Sequence, residues 1–176
     1  MRLKSVHIQY QSKLTTLAQF NTAPFMTILI QQANANDVER IAPVFDAYRV
    51  FYQQPSDLDL ARRFLFERLK NQESILFFAS DTSGQTLGFV QLYPSYSSVS
   101  AQRLWILNDL YVHQSARRQG IAKKLMNRAR EFAISTQAKG LFLETAHDNY
   151  QGQSLYTALG YQKNSEYYYF LDLRTC

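Results

Sequence analysis

Leu110-Tyr111-Val112-His113-Gln114-Ser115-Ala116-Arg117-Arg118-Gln119-Gly120-Ile121-Ala122 is the stretch on which the fold turns. Upstream of it, Ala101 to Val112 reads as a long strand centred on Trp105. Downstream, Arg117 to about Gln137 carries Ile121, Leu125, Ala129, Phe132 and Ala133 at helical spacing, so an amphipathic helix is predicted there, stopped by Gly140. The core of the junction is Arg117-x-x-Gly120-x-Ala122. Amides in the first turn of a helix lack partners and point outward, and the helix dipole adds partial positive charge. Gly120 and Ala122 keep bulk away, and Arg117 and Arg118 add cationic donors suited to phosphate oxygens. The junction therefore predicts an anion site. A Gly in the first turn of an otherwise good helix costs up to about 1 kcal/mol relative to Ala, which points to a backbone requirement. A solvated basic helix start with an incidental Gly is the plainer alternative. The pattern is neither a Walker turn nor a dinucleotide fingerprint, because no Gly-Lys-Ser/Thr follows and a single Gly is present.

Working outward, Thr27 to Gln32 is a strand candidate. Asn36 or Asp37 can cap a first helix in which Val38, Ile41, Val44, Phe45, Tyr48 and Phe51 recur, ended by Gln54-Pro55. Ser56 or Asp57 can cap a second, with Leu58, Ala61, Leu65 and Leu69 on one stripe to about Asn71. Ser74 to Ser80 and Thr86 to Tyr93, joined by a Gly turn, form a hairpin. A Ser-rich loop leads to the long strand. After the long helix come a buried strand at Leu141 to Ala146, a short helix at Gln151 to Leu159 and a final aromatic strand or strand pair at Tyr161 to Leu173. The element order is β-α-α-β-β-β-α-β-α-β. A hairpin inside an alternating pattern implies an α/β domain with a mixed sheet, the long helix crossing over between two parallel strands near its middle, where such sheets open a ligand crevice.

With 176 residues, 46% of them apolar, the chain can enclose one core and is too short for two ordinary domains. Residues 1 to 25 carry Arg2, Lys4 and Lys13 without an acid, lack periodicity and are expected to be a disordered extension; residues 26 to 176 form the single domain. The rest of the chain holds 16 basic and 14 acidic residues, so the net charge of +5 needs no nucleic-acid partner. No apolar run is long enough to span a membrane. The one cysteine, Cys176, excludes an intrachain disulfide and a Cys-based metal site; no metal is expected, and a reducing, cytoplasmic compartment fits.

Arg117-Arg118-Gln119-Gly120-Ile121-Ala122 resembles the Gln/Arg-x-x-Gly-x-Gly/Ala signature of the GCN5-related N-acetyltransferase (GNAT) superfamily. The likeness extends through Leu110-Tyr111-Val112 upstream and through Asn149 and Leu155-Tyr156-x-x-Leu159-Gly160-Tyr161 downstream. Residues 27 to 173 follow the superfamily's element order. The resemblance implies that the pyrophosphate of acetyl-CoA rests on the amides from Arg118 to Ala122. It also implies that the pantetheine arm pairs like an added strand with the backbone around Leu110, Tyr111 and Val112, and that Asn149 binds that arm. Its implied acid is Tyr156, protonating the departing thiolate, and its implied oxyanion donor is the Val112 amide. A sheet that splays apart through a bulge is part of the same implication.

Spacing agrees with chemistry at the second motif. Asn149 and Tyr156 are seven residues apart, close to two helical turns and roughly 10 Å along an axis, the scale of a pantetheine arm. A phenol stays protonated at neutral pH and can supply a proton. An attacking amine must lose one, and Glu144 is the leading base: it interrupts Leu141-Phe142-Leu143, where a carboxylate would be partly desolvated. Asp109 is the alternative, or a water chain. His113 and His147 read as loop residues, and Cys176 has no base beside it to support a covalent acyl intermediate. The acceptor pocket is expected to draw on Tyr48, Phe51, Tyr52, Tyr93, Tyr96, Trp105 and Tyr167 to Tyr169, aromatic walls that could equally be core or a homodimer interface. The expected activity is acetyl transfer from acetyl-CoA to a small-molecule primary amine by direct attack. A protein or peptide N-acetyltransferase and a non-catalytic acyl-CoA sensor are the competing readings.

Overall fold

A computed structural model describes residues 27–165, 169 and 171–173. Its elements are β1 (Leu29–Gln32), α1 (Val38–Phe51), α2 (Leu58–Lys70), β2 (Ile75–Ser80), β3 (Thr86–Ser97), β4 (Gln102–Val112), α3 (Ile121–Ser135), β5 (Gly140–Phe142) and α4 (Tyr150–Ala158), with single 3-10 turns at Ala35–Asp37 and Gln114–Ala116. The mixed α/β architecture and the order of elements through α4 are those predicted. Of the final strand expected at Tyr161 to Leu173, residues 161–165 take no strand form, and 166–168 and 170 lie outside the described residues, as do residues 1 to 25 and Cys176.

Local chemistry shifts several boundaries. The first helix is entered through a capping box on Asn34, not Asn36 or Asp37: the Asn34 side chain accepts the Asn36 amide while Asp37 accepts the Asn34 amide. Asp57 caps α2 by accepting the Leu60 amide. The long helix begins at Ile121 and not at Arg117, because Arg118 (φ +66°) and Gly120 (φ +76°) are both left-handed. Gly120 thus stands outside the helix as its N-cap, and the penalty for a helical Gly does not arise. The strand expected at Leu141 to Ala146 shrinks to Gly140–Phe142, at intermediate to high exposure rather than buried.

The five strands lie in chain order in one sheet, with antiparallel neighbours from β1 to β4 and a parallel β4–β5 pair. One face carries α3, around Phe77, Val90, Leu92, Trp105, Leu107, Ile121, Leu125 and Met126; the other carries α1 and α2, around Ile41, Phe45, Leu65, Phe78, Phe89 and Tyr111. Trp105, expected in an acceptor wall, belongs to the first core, its indole N–H donating to Thr136 Oγ1 at 2.9 Å.

Two features of β4 shape the site. First, Gln91 pairs with Asp109 but Leu92 pairs with Leu107, so Asn108 is an extra residue without an opposite number. Before this bulge Trp105 and Leu107 face α3; after it Leu110 and Val112 do so, and Tyr111 joins the core under α1 and α2. One inserted residue reverses which parity points where. Second, β5 accompanies β4 only from Leu104 to Ile106. Beyond Ile106 the two chains part, and among the described residues β4 has no strand partner on that side up to Val112.

Candidate active site

The gap where β4 leaves β5 is the floor of a cleft of about 680 Å³. Leu110, Tyr111 and Val112 form one wall; Arg117, Arg118, Gly120, Ile121 and Ala122 form the end where α3 starts; Glu144, Asn149 and Tyr156 form the opposite wall. The structure thus brings the sequence-predicted residues into one cavity. Gln119 lies between lining neighbours without lining the cleft itself.

At the head of α3, Lys124 is the first helical residue whose amide finds a carbonyl, that of Gly120, leaving the amides of Ile121, Ala122 and Lys123 without helical acceptors. Gly120 offers no side-chain cap, and a methyl added at its Cα would meet nothing within 4 Å, so the space in front of these donors is open. Left-handed residues on either side of Gln119 form the kind of turn that gathers successive amides toward an anion. These donors and the open edge of β4 fit the diphosphate and amide-bearing arm of a coenzyme A. The Arg117 side chain is not one of the free cations expected here: its Nε–H donates to the Val112 carbonyl at 3.1 Å, and its guanidinium stacks over Phe51 and Tyr111.

Across the cleft, Asn149 is the N-cap of α4. Its Oδ1 accepts the Gly152 amide at 3.1 Å and its Nδ2 donates to Thr145 Oγ1 at 2.9 Å. Gly152 is required by this cap, since a Cβ there would lie 2.5 Å from Asn149 Nδ2. Two turns on, Tyr156 is half-buried and packs against Tyr161. Burial pushes the Tyr156 phenol above its ordinary pKa, with the Thr145 hydroxyl acting in the opposite sense and Tyr52 adding to the rise. Thr145 therefore links Asn149 to Tyr156, a role that its place in a loop gave no means of reading from sequence.

The carboxylates differ from expectation. Glu144 lines the cleft but is exposed, because β5 stops at Phe142 and the chain has already left the sheet. Asp109 is 6% exposed, accepting from the Tyr48 hydroxyl at 2.7 Å and from Asn108 Nδ2 at 3.1 Å. Burial raises its pKa above the usual carboxylate value, and these two donors act against the rise. Of the other aromatics expected in the acceptor pocket, Tyr48, Phe51 and Tyr52 line the cleft; Tyr93 is half-buried near Asp109; Tyr96 is exposed beneath Arg103; Tyr167 and Tyr168 lie outside the described residues. Among the described residues, no group of three or more His, Cys, Asp or Glu side chains is placed to hold a metal ion, and no helix is long and apolar enough to cross a membrane.

Residues 41–161 match the model of the Acetyltransferase (GNAT) family. The chain is 43% identical over 141 residues to the uncharacterized N-acetyltransferase YhfO of Bacillus subtilis (strain 168), covering 80% of this chain and 94% of that protein. It is 35% identical over 114 residues to a probable acetyltransferase of Haemophilus influenzae, covering 65% and 78% of the two chains. A crystal structure of a probable acetyltransferase superposes with a TM-score of 0.78 at 39% identity, covering 82% of this chain and 97% of that one. The aminoglycoside N-acetyltransferase AAC(6')-Iy, solved with CoA, shares the fold at a TM-score of 0.71 and 18% identity, covering 84% and 96%.

Proposed function

Because the chain belongs to the GNAT acetyltransferase family, we propose that this acetyltransferase moves an acetyl group from acetyl-CoA to the primary amine of a small molecule or amino-acid derivative, by direct attack within a ternary complex. The observation that carries this reading is continuity: the released edge of β4 runs straight into the amide-rich turn before α3, in one cleft with Tyr156. A thioester contributes an activated acyl carbon with a thiol leaving group.

The chain's own residues have these parts. The amides at the head of α3, with the Arg118 side chain, hold the diphosphate. Backbone of Leu110 to Val112 pairs with the amide-bearing arm as a strand would, and Asn149, fixed by Thr145 and Gly152, borders that arm. The Val112 amide meets the oxyanion that develops on the acyl oxygen. Tyr156 protonates the sulfur as it departs. A carboxylate takes the proton of the amine; Glu144 at the rim reaches the cleft directly, and Asp109 reaches it behind Tyr48. The cleft walls bear aromatic rings with Glu144 as the one acidic residue, which favours a compact amine over a polycation. The lone cysteine supports a reducing, cytoplasmic setting.

Calorimetry with CoA, followed by release of free thiol from acetyl-CoA over a panel of primary amines and peptides, tests this reading. Micromolar CoA binding and release that depends on a small amine are expected. Absence of CoA binding would remove the proposal, and release dependent on peptides alone would move it to a protein N-acetyltransferase.

A further inference from the structure

The bulge at Asn108 turns Asp109 toward α1 and away from the α3 core, and α1 meets it there with the hydroxyl of Tyr48. Asp109 does not line the cleft; Tyr48 and Asn108 do. A proton from the cleft can therefore reach this buried carboxylate through the Tyr48 hydroxyl. Tyr52 raises the pKa of both Tyr48 and Tyr156, so it stands within electrostatic reach of a phenol on each side of the cleft. Tyr48 thus faces the space in which Tyr156 would act. Four ring contacts, with Phe45, Tyr52, Phe89 and Tyr111, fix the Tyr48 phenol in place.

Building on the acetyl-transfer reading, we propose that Tyr48 and Asp109 are the proton exit for the attacking amine, Tyr48 as the catalytic group that touches the nitrogen and Asp109 as the positioning residue that receives the proton through it. As the amine nitrogen bonds to the acyl carbon, one N–H proton passes to the Tyr48 oxygen while the Tyr48 O–H proton passes to Asp109 Oδ1. When the carbon–sulfur bond breaks, the sulfur takes the electron pair and the proton of Tyr156. After the products leave, Asp109 returns its proton through Tyr48 to solvent and Tyr156 regains one from solvent, so all three groups end as they began. Tyr48 never needs to ionise alone, which its burial and the neighbouring Asp109 oppose. Glu144, exposed on the rim, is left without a required role.

The relay works only while Asp109 is ionised. Its surroundings are Tyr48 on α1, Asn108 beside it, Gln91 across the ladder and Tyr93 on β3, which itself feels Arg68 of α2 and Glu73. Among these the positive charge of Arg68 is paired with Glu67 and Glu73, and burial holds the Asp109 carboxyl above its ordinary pKa. Turnover should accordingly fall as pH drops into the mildly acidic range.

The test compares the full-length wild type with Tyr48→Phe, Asp109→Asn and Glu144→Gln. Thiol release from acetyl-CoA is followed across pH 5 to 10 with water as the acceptor and with the best amine of the panel, alongside CoA affinity and melting temperature. Tyr48→Phe and Asp109→Asn should each lower kcat at least ~100-fold with CoA affinity little changed, and abolish the acidic limb of the pH profile. Glu144→Gln should keep both rate and limb. If Tyr48→Phe or Asp109→Asn retains the wild-type limb, whatever its rate, the pair is merely structural and the proposal is overturned; the same follows if Glu144→Gln removes the limb. Tyr48→Phe deletes one oxygen and keeps the ring contacts, so it decides the matter even where Asp109→Asn does not fold. A wild type that binds CoA yet releases no thiol to amine or water also overturns the relay, whereas failure to bind CoA strikes the acetyl-transfer reading itself.

Discussion

Asn149 donates from Nδ2 to Thr145 Oγ1 at 2.9 Å, tying the first residue of the α4 cap to the loop that leaves β5. Its other side-chain atom accepts the Gly152 amide. The wall of the cleft opposite β4 is therefore held by one amide side chain whose two ends are both occupied.

Replacing Asn149 by Ala should cost about 1 kcal/mol of stability, the ordinary worth of an N-cap, and raise KM for acetyl-CoA more than it lowers kcat. Gly152→Ala should reproduce both effects, since its methyl would collide with Asn149 Nδ2. Denaturant melts and steady-state kinetics on the two variants check this; an unchanged KM in both would separate α4 from coenzyme binding.

Gly120→Ala places a side chain at φ +76° with open space around it, so the penalty is conformational and about 1 kcal/mol. The same methyl projects before the free amides of α3. CoA affinity should fall by about tenfold or more, a loss of at least ~1.4 kcal/mol. Gln119→Ala, at a position outside the cleft lining, should bind as the wild type does, and calorimetry compares the two.

Tyr156→Phe should lower kcat about 100-fold and leave the Kd for CoA nearly intact. Burial disfavours the phenolate, so the acid form persists above the ordinary phenol pKa and the alkaline limb of kcat lies on the far side of pH 10. That limb should disappear in the variant, and a pH series with acetyl-CoA reads it directly.

Asp46 is a buried carboxylate that serves stability rather than the cleft. Desolvation pushes its pKa upward, but the Ser56 hydroxyl, the Asp57 amide and Arg49 outweigh it, and the net shift is downward. A lowered native pKa means that this stabilisation is intact above the unfolded value near 4 and is lost as pH falls through the native one. Asp46→Ala should destabilise by about 1–3 kcal/mol at pH 7 and by less in strong acid, measured by urea melts at both pH values.

Much of this was legible in the sequence for physical reasons. The α3 stripe of Ile121, Leu125, Ala129 and Ala133 has a period that strands cannot share, and all four are buried. Asn149 and Tyr156 stood out because two turns of helix fix their separation. Other features leave no such trace. The bulge is one residue, Asn108, amid a run that is apolar on both sides, so no break in alternation announces it. Leu141-Phe142-Leu143 reads as buried strand because apolar content does not say how far pairing continues, and Glu144 lost its expected desolvation with it. Gly120 was correctly singled out for a backbone need but placed inside the helix, since sequence does not distinguish a left-handed cap from a first turn. Tyr48 fitted a helical core stripe so well that its hydroxyl attracted no notice.

A strand that carries one residue more than its neighbour acts as a phase shifter along its own length. Removing Asn108 would restore simple counting and rotate the remainder of β4 by half a turn, swapping the Asp109 carboxylate into a greasy interior and the Leu110 side chain out of it. In such a chain a single-codon deletion is more damaging than many double substitutions, and directed-evolution libraries that sample indels should find this one position intolerant.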